Sequence, residues 1–340
     1  MTSTRRELEA EQTSAVFQLA LAQLGISTVA DALKLWGTVP PVAQAAQSAA
    51  WLDQAVHLVL TRRVASRALA MSYYRLVRAL RTGRTIADPA HRTPPSVTLG
   101  ELRREFAVLA GNPKPSPAEV APGTPAPPAA QPAEGDDERI GVEKLDGLVN
   151  DHARLERSAQ DEADEVLEML GTRNLEHKVA AIDTSRPADQ VDAQRAEAHQ
   201  RAGTRQAAAA ERLVINGARG VLWSNADRDR RVIGYARVSR TGTPCGWCAM
   251  LISRGAVYKS KRGATYSDGD KYHDNCHCYA EPLFSQAQYT SDAKFDLNRD
   301  YEGLWPTVTA GTAGKDALAV WRRYFRAQQK ASALEARSTP

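Results

Sequence analysis

Long apolar runs are missing from this 340-residue chain. No stretch approaches the ~18 to 20 residues that a membrane-spanning helix needs, so no membrane span is expected. Residues 1–12, MTSTRRELEAEQ, are polar and carry three glutamates, so no secretory leader is expected either. Cysteine is scarce, with four in total, which argues against a disulfide-dense scaffold. Aromatic residues make up only 6% and alanine is over-used, so mostly helix and modest cores are expected. The chain has no G-x-S-x-G elbow, no Walker A sequence and no G-x-G-x-x-G. Those absences remove the simplest signatures of hydrolases, P-loop enzymes and dinucleotide-binding enzymes.

What the chain does have is unevenly placed. Net charge is +4 overall, yet residues 139–200 carry a net of −6 and residues 201–285 a net of +7. A basic segment beside an acidic one suits contact with nucleic acid or an acidic protein surface, and equally suits solvated helix faces. Residues 112–138, NPKPSPAEVAPGTPAPPAAQPAEGDDE, hold 8 of the 18 prolines and almost no bulky apolar residue. Proline fixes φ and lacks an amide proton, so this stretch reads as an extended linker. It divides a helical amino-terminal domain (1–111) from an α+β domain (139–285), which a helical tail (286–340) follows.

Helical periodicity supports segments at 7–24 and 51–81, the second with an arginine-rich polar face of Arg62, Arg63, Arg67, Arg75, Arg78 and Arg81. Tyr73 and Tyr74 read as core there. Thr98 and Glu101 form a capping-box pattern for a helix ending near Ala110. Residues 139–170 read as a charged helix ending near Gly171. Ser185 reads as a helix cap, with Pro187 in the first turn of a helix running to about Trp223. A strand is expected at Val232–Val238, a helical turn after Cys248, a second strand at Val257–Tyr258 and a return strand over His273–Pro282. The final helix, 313–336, presents Leu318, Val320, Trp321 and Phe325 on its apolar face. The expected class is α+β, mostly helical.

All four cysteines fall between Cys245 and Cys278. Cys245 and Cys248, in T-P-C-G-W-C, have the spacing of a zinc knuckle. Further on, H-D-N-C-H-C supplies His273, Cys276, His277 and Cys278. The preferred ligand set is Cys245, Cys248, His273 and Cys276. Cys278 is the reserve, because residues 276 and 278 share a face in a strand and His277 points away. Structural zinc fits this chemistry, because a small unit with a long polar loop has little core of its own. Reduced buried thiols, or two disulfides, are the alternatives. A cysteine nucleophile at Cys245 with His273 is less natural, since the second thiol of a C-x-x-C would trap the first.

T-x-C-x-x-C followed by H-x-N-C-x-C is carried by Thr243, Cys245, Cys248, His273, Asn275, Cys276 and Cys278. Together with N-G-A-R-G at 216–220, it resembles the MuF-like head morphogenesis proteins of tailed phages over about 185–285. The amino-terminal region, with W-L-D-Q-A at 51–55 and Y-Y-R at 73–75, more loosely resembles minor capsid proteins of actinobacterial phages.

That resemblance implies a minor capsid protein at the portal vertex, active in head assembly and in DNA packaging or ejection. Its partners would be the portal protein, the major capsid or scaffold protein and packaged double-stranded DNA, with no membrane. It would be found in the virion, and in the host cytoplasm during assembly. On this reading Arg228, Arg230, Arg231, Arg237, Arg240, Lys259, Lys261 and Arg262 face DNA or the acidic lumen of the head. Two rival readings are a capsid maturation protease, which needs a nucleophile with a base in reach, and a zinc-stabilised nucleic-acid-binding module.

Overall fold

A computed structural model describes residues 3–42, 45–92, 94–111, 135–239, 244–258, 276 and 278–338. In chain order the elements are α1 (Ser3–Trp36), α2 (Ala45–Thr82), β1 (Arg84–Ile86), β2 (Ser96–Thr98), α3 (Leu99–Ala110) and β3 (Arg139–Glu143). There follow α4 (Leu148–Leu170), α5 (Thr172–Ala180), α6 (Ala188–Arg228), β4 (Gly234–Ser239) and α7 (Gly246–Ile252). The chain continues through β5 (Ala256–Tyr258), β6 (Cys278–Leu283), α8 (Gln286–Ser291), α9 (Asp296–Val308) and α10 (Gly314–Ser338). The fold is α+β and mostly helical, with a helical amino-terminal region and a small α+β carboxy-terminal region that carries the cysteines.

Three long helices, α1, α2 and α6, pack on one another and form the frame. Their apolar side chains recur at helical spacing and meet in one core. Phe17 of α1, Tyr73 and Leu80 of α2, Phe106 of α3, Ile140 of β3, Leu222 of α6, Tyr235 of β4 and Tyr279 of β6 all belong to it. Phe17 stacks on Tyr73 with ring centroids 4.2 Å apart. A second core joins Trp36, Trp51 and Val59 to Leu167 of α4, Leu175 of α5 and Leu213 of α6. Helix α1 corrects the expectation that no stretch is long and apolar enough to span a membrane: Thr4–Trp36 meets that criterion by length and composition only. Its Phe17, Leu21, Ala32 and Trp36 lie buried in these cores.

The first sheet corrects the expected domain division. Strand β3, from beyond the Pro-rich stretch, is central in the order β1-β3-β2. It pairs parallel to β1, with Thr85 opposite Val142, and antiparallel to β2, with Val97 opposite Ile140. The segments before and after the stretch therefore share a core and a sheet. Residues 112–134 themselves lie outside the described residues.

Three other local expectations change. Residues 139–143 form a strand rather than the start of a helix, because β1 and β2 offer partners that the local sequence does not reveal. Ser185 does not cap α6; Pro187 occupies that position without a side-chain cap, and the helix runs on to Arg228. The arginines of α2 do not form a solvated face. Arg62 pairs with Asp31, Arg63 and Arg67 with Glu156, Arg75 with Glu105, Arg78 with Glu143 and Asp229, and Arg81 with Asp292.

The second sheet, order β5-β4-β6, is antiparallel throughout and packs on α6. Beyond it, α7, α9 and α10 enclose a small aromatic core of Trp321, Phe325, Tyr301, Trp305 and Trp247.

Candidate metal centre

The T-P-C-G-W-C knuckle is the start of a helix. Cys245 is the N-cap of α7, with extended backbone, and its Sγ accepts the Cys248 N–H at 3.4 Å. An N-terminal amide that would otherwise lack a partner is thereby satisfied by a sulfur. This turn carries Cys248 inward, where it is 2% exposed.

The second half of the site comes from the entry to β6. Cys278 opens that strand opposite Ser239 of β4, and Cys276 lies just ahead of it. The Sγ of Cys248 is 3.4 Å from that of Cys276 and 3.1 Å from that of Cys278, and the last two are 3.2 Å apart. All three are buried, and Cys245 packs against them half-buried. None is in a disulfide.

Cys276 and Cys278 therefore do not compete for one place, as their sequence ranking implies: both meet Cys248. Cys278 belongs to the buried trio and is not a substitute for Cys276. Thr243, His273, Asn275 and His277 lie outside the described residues.

Arg219 of α6 holds the C-x-C segment in place. It is 5% exposed, and it donates from Nε to the Cys278 carbonyl at 3.1 Å and from Nη2 to the Cys276 carbonyl. Its Nη1 donates to Asn216 Oδ1 at 3.0 Å. The N-G-A-R-G motif thus has a physical content. Asn216 orients Arg219, and Gly217 lets α2 approach: a Cβ there would lie 2.6 Å from Ser66 Oγ and 2.8 Å from Arg63 Cγ. Sequence reasoning used this motif only for resemblance and missed the arginine. The available signal was a single cation in an otherwise small and apolar stretch of helix.

The thiols are electrostatically unequal. Hydrogen bonding from Cys248 and Cys278, with the Arg219 guanidinium nearby, pulls Cys276 toward the thiolate. Hydrogen bonds to Cys245, Cys276 and Cys278, added to burial, hold Cys248 as the thiol. Arg237, 4% exposed on β4, adds a second positive charge beside Cys278. Three buried sulfurs around one point, with cations beside them, form a soft donor set able to hold a thiophilic metal ion such as zinc.

Three of the eight basic residues expected to face DNA, Arg228, Arg231 and Arg237, are paired or buried within the protein. Arg228 pairs with Asp151, donating from Nε at 2.7 Å and from Nη2 at 3.1 Å. Arg231 forks onto Glu143, with Nη2 at 2.7 Å. Arg237 is buried, while Arg230 is exposed. Arg240, Lys259, Lys261 and Arg262 lie outside the described residues. A charge count does not reveal partners, and here acidic residues of β3 and α4 take up two of the cations.

A buried polar cluster also escaped the sequence reading. Glu281 of β6, fully buried, accepts from Tyr73 OH at 2.7 Å and from Lys294 Nζ at 2.5 Å, and Ser14 Oγ lies 2.9 Å from the same phenol. It ties α1 and α2 to the second sheet. Tyr73 and Tyr74 are core residues, as expected, and Tyr74 OH donates to Asp229 at 2.8 Å.

Comparison with known proteins adds one family. Residues 172–303 match the family model described as VG15 protein. That is a phage-associated family, and the matched span runs from α5 into α9, including every cysteine. No curated protein and no solved structure matches the chain.

Proposed function

We propose that the chain is a minor capsid protein of a tailed phage, of the MuF-like kind, acting at the portal vertex in head assembly and in DNA packaging or ejection. The observation that carries this reading is the match of residues 172–303 to a phage-associated family. The residues behind the MuF-like resemblance, Cys248, Cys276, Cys278 and Arg219, converge within that span. The portal protein, the major capsid or scaffold protein and packaged DNA are its proposed partners. The virion, preceded by the host cytoplasm, is its proposed location.

The cysteine site serves as a clip in this proposal. A zinc ion would be held by Cys248, Cys276 and Cys278, with Cys245 or His273 in the fourth position. When bound, zinc supplies tetrahedral ligation and no reaction. Arg219 holds the C-x-C backbone, and Cys248 ties α7 to β6. The outer side of α7 meets α9 and α10, so the clip secures the carboxy-terminal helices to the frame.

Quantitative mass spectrometry of mature virions beside empty precursor heads tests the proposal. The expected result is the intact chain in mature particles at a few copies per portal. Its presence in precursors alone, with a trimmed major capsid protein in mature heads, would replace this reading with the maturation protease.

A further inference from the structure

We infer that helix α10 is a contact element for duplex DNA, through one stripe of cations on the face turned away from the protein. Trp321 and Phe325 are buried against α7 and α9, Ala317 is buried too, and Leu318 and Tyr324 are half-buried beside them. At 100° per residue these positions occupy one side of the helix. Arg322, Arg323, Arg326 and Lys330 fall outside that side, and all four are exposed. No acidic residue lies between Lys315–Asp316 at the helix start and Glu335.

None of the four has a carboxylate partner among the described residues. This contrasts with α2, where Arg62, Arg63, Arg67, Arg75, Arg78 and Arg81 are all paired within the protein. Arg322 alone has another contact, lying 5.5 Å from the Trp247 ring centroid. That contact and the aromatic core fix the orientation of the stripe.

The spacing suits a phosphate backbone. Residues 322, 326 and 330 are four apart, and each step advances about 6 Å along the axis. Such a row of point charges can follow one strand without reading bases. A lipid surface suits it poorly, because a basic helix that lies on a membrane needs a free apolar face. In α10 that face is occupied by the aromatic core. The four-cation row is also a better candidate than the 228–237 stretch, where Arg228 and Arg231 are held by Asp151 and Glu143.

The inference rests on the phage-head reading only for the identity of the polyanion. Binding of the purified full chain to a ~30-base-pair duplex of arbitrary sequence is measured by fluorescence anisotropy at several salt concentrations. The triple variant Arg323→Gln, Arg326→Gln, Lys330→Gln leaves Arg322 on Trp247, and near-UV circular dichroism confirms that its aromatic core is intact. Each phosphate contact contributes a slope of about −0.9 in log K against log salt. The variant is expected to flatten the slope by about 2 to 3 and to weaken binding at least tenfold near ~0.1 M salt. Arg230→Gln, on the exposed cation of the other stretch, is expected to leave both unchanged.

Three results would overturn the inference: no binding by the wild type at ~0.1 M salt, a triple variant that binds with the wild-type slope, or equally tight binding to polyglutamate. Absence of the chain from virions would refute the phage-head reading while leaving the salt dependence as measured, so the two failures are distinguishable.

Discussion

Arg219 and Cys278 are joined across the contact between α6 and β6, with the guanidinium Nε donating to the carbonyl at 3.1 Å. The same guanidinium reaches the Cys276 carbonyl, so one side chain sets the backbone on both sides of residue 277. This makes Arg219 a positioning residue for the sulfurs. Arg219→Gln leaves at least one buried carbonyl without a partner, a cost of about 1–3 kcal/mol. The expected outcome is a folded protein that loses zinc to a chelator several-fold faster than the wild type. Arg219→Lys, which can still reach one carbonyl, is expected to fall between them. Equal release rates in all three would refute the positioning role.

The metal proposal has its own test. The full chain isolated under reducing conditions is expected to hold about one zinc per chain, and a chelator is expected to lower its melting temperature. Cys278→Ser removes one sulfur of the buried trio and is expected to bring the content below about half. Wild-type protein already below about half a metal per chain would leave a reduced thiol cluster as the better description.

How much of this was legible in the sequence depended on how local each decision is. The box at Thr98 and Glu101 was legible, since both of its hydrogen bonds close within four residues. So was the end of α4 at Gly171. The convergence of the C-x-x-C and C-x-C halves was legible from chemistry, because only one region carries cysteine. Strand β3 was not: Ile140 and Val142 are strand residues only because Val97 and Thr85 stand opposite them. Nor were the ion pairs of α2, whose partners lie as far away as Asp292. The Arg219 clamp joins residues 57 and 59 positions apart, beyond what periodicity can show.

One such pair carries a large energetic expectation. Arg78 and Asp229 are each 1% exposed, and Asp229 also accepts from Tyr74 and from the Arg231 N–H. Asp229→Ala leaves a buried guanidinium with only Glu143 and the Thr85 carbonyl. Breaking a buried pair on one side costs about 3–5 kcal/mol. Denaturant unfolding is expected to show a loss of that size. A change below about 1 kcal/mol would mean that the site admits water or rearranges freely.

Two glycines set the packing around the tryptophans of the second core. A Cβ at Gly203 of α6 would lie 2.4 Å from Trp36 Cδ1, and one at Gly171 would lie 2.4 Å from Trp51 Cη2. Each Gly→Ala change is expected to cost about 1–3 kcal/mol through overpacking. Gly303 in α9 has open space around it, so Gly303→Ala is expected to be neutral or to stabilise by up to about 1 kcal/mol. Thermal melts of the three variants check the contrast, and a stabilised Gly203→Ala would contradict this packing.

The pH dependence follows from the same α2–β3–α6 junction. Hydrogen bonds from Arg231 and Arg78 hold the Glu143 carboxyl at about 2, below its usual 4.5. Asp229 is held below its usual value too: burial opposes this, but the Arg78, Arg231 N–H and Tyr74 hydrogen bonds prevail. A carboxyl depressed in the folded state takes up protons more readily when unfolded. Its contribution is therefore complete above the unfolded value, near 4.5 for Glu143, and is lost as pH falls from there toward about 2. His152 adds an earlier decline. Burial, with Arg67 nearby, depresses its imidazole below 6.5, so protonation favours the unfolded chain as pH falls below that value. Urea midpoints measured from pH 7 down to pH 3 are expected to fall gently at first and more steeply below about 4.5. Glu143→Gln removes one of the depressed carboxyls around Arg78 and is expected to make the lower limb shallower. An unchanged lower limb in that variant would show that the Arg78 and Arg231 pairs to Glu143 do not govern acid stability.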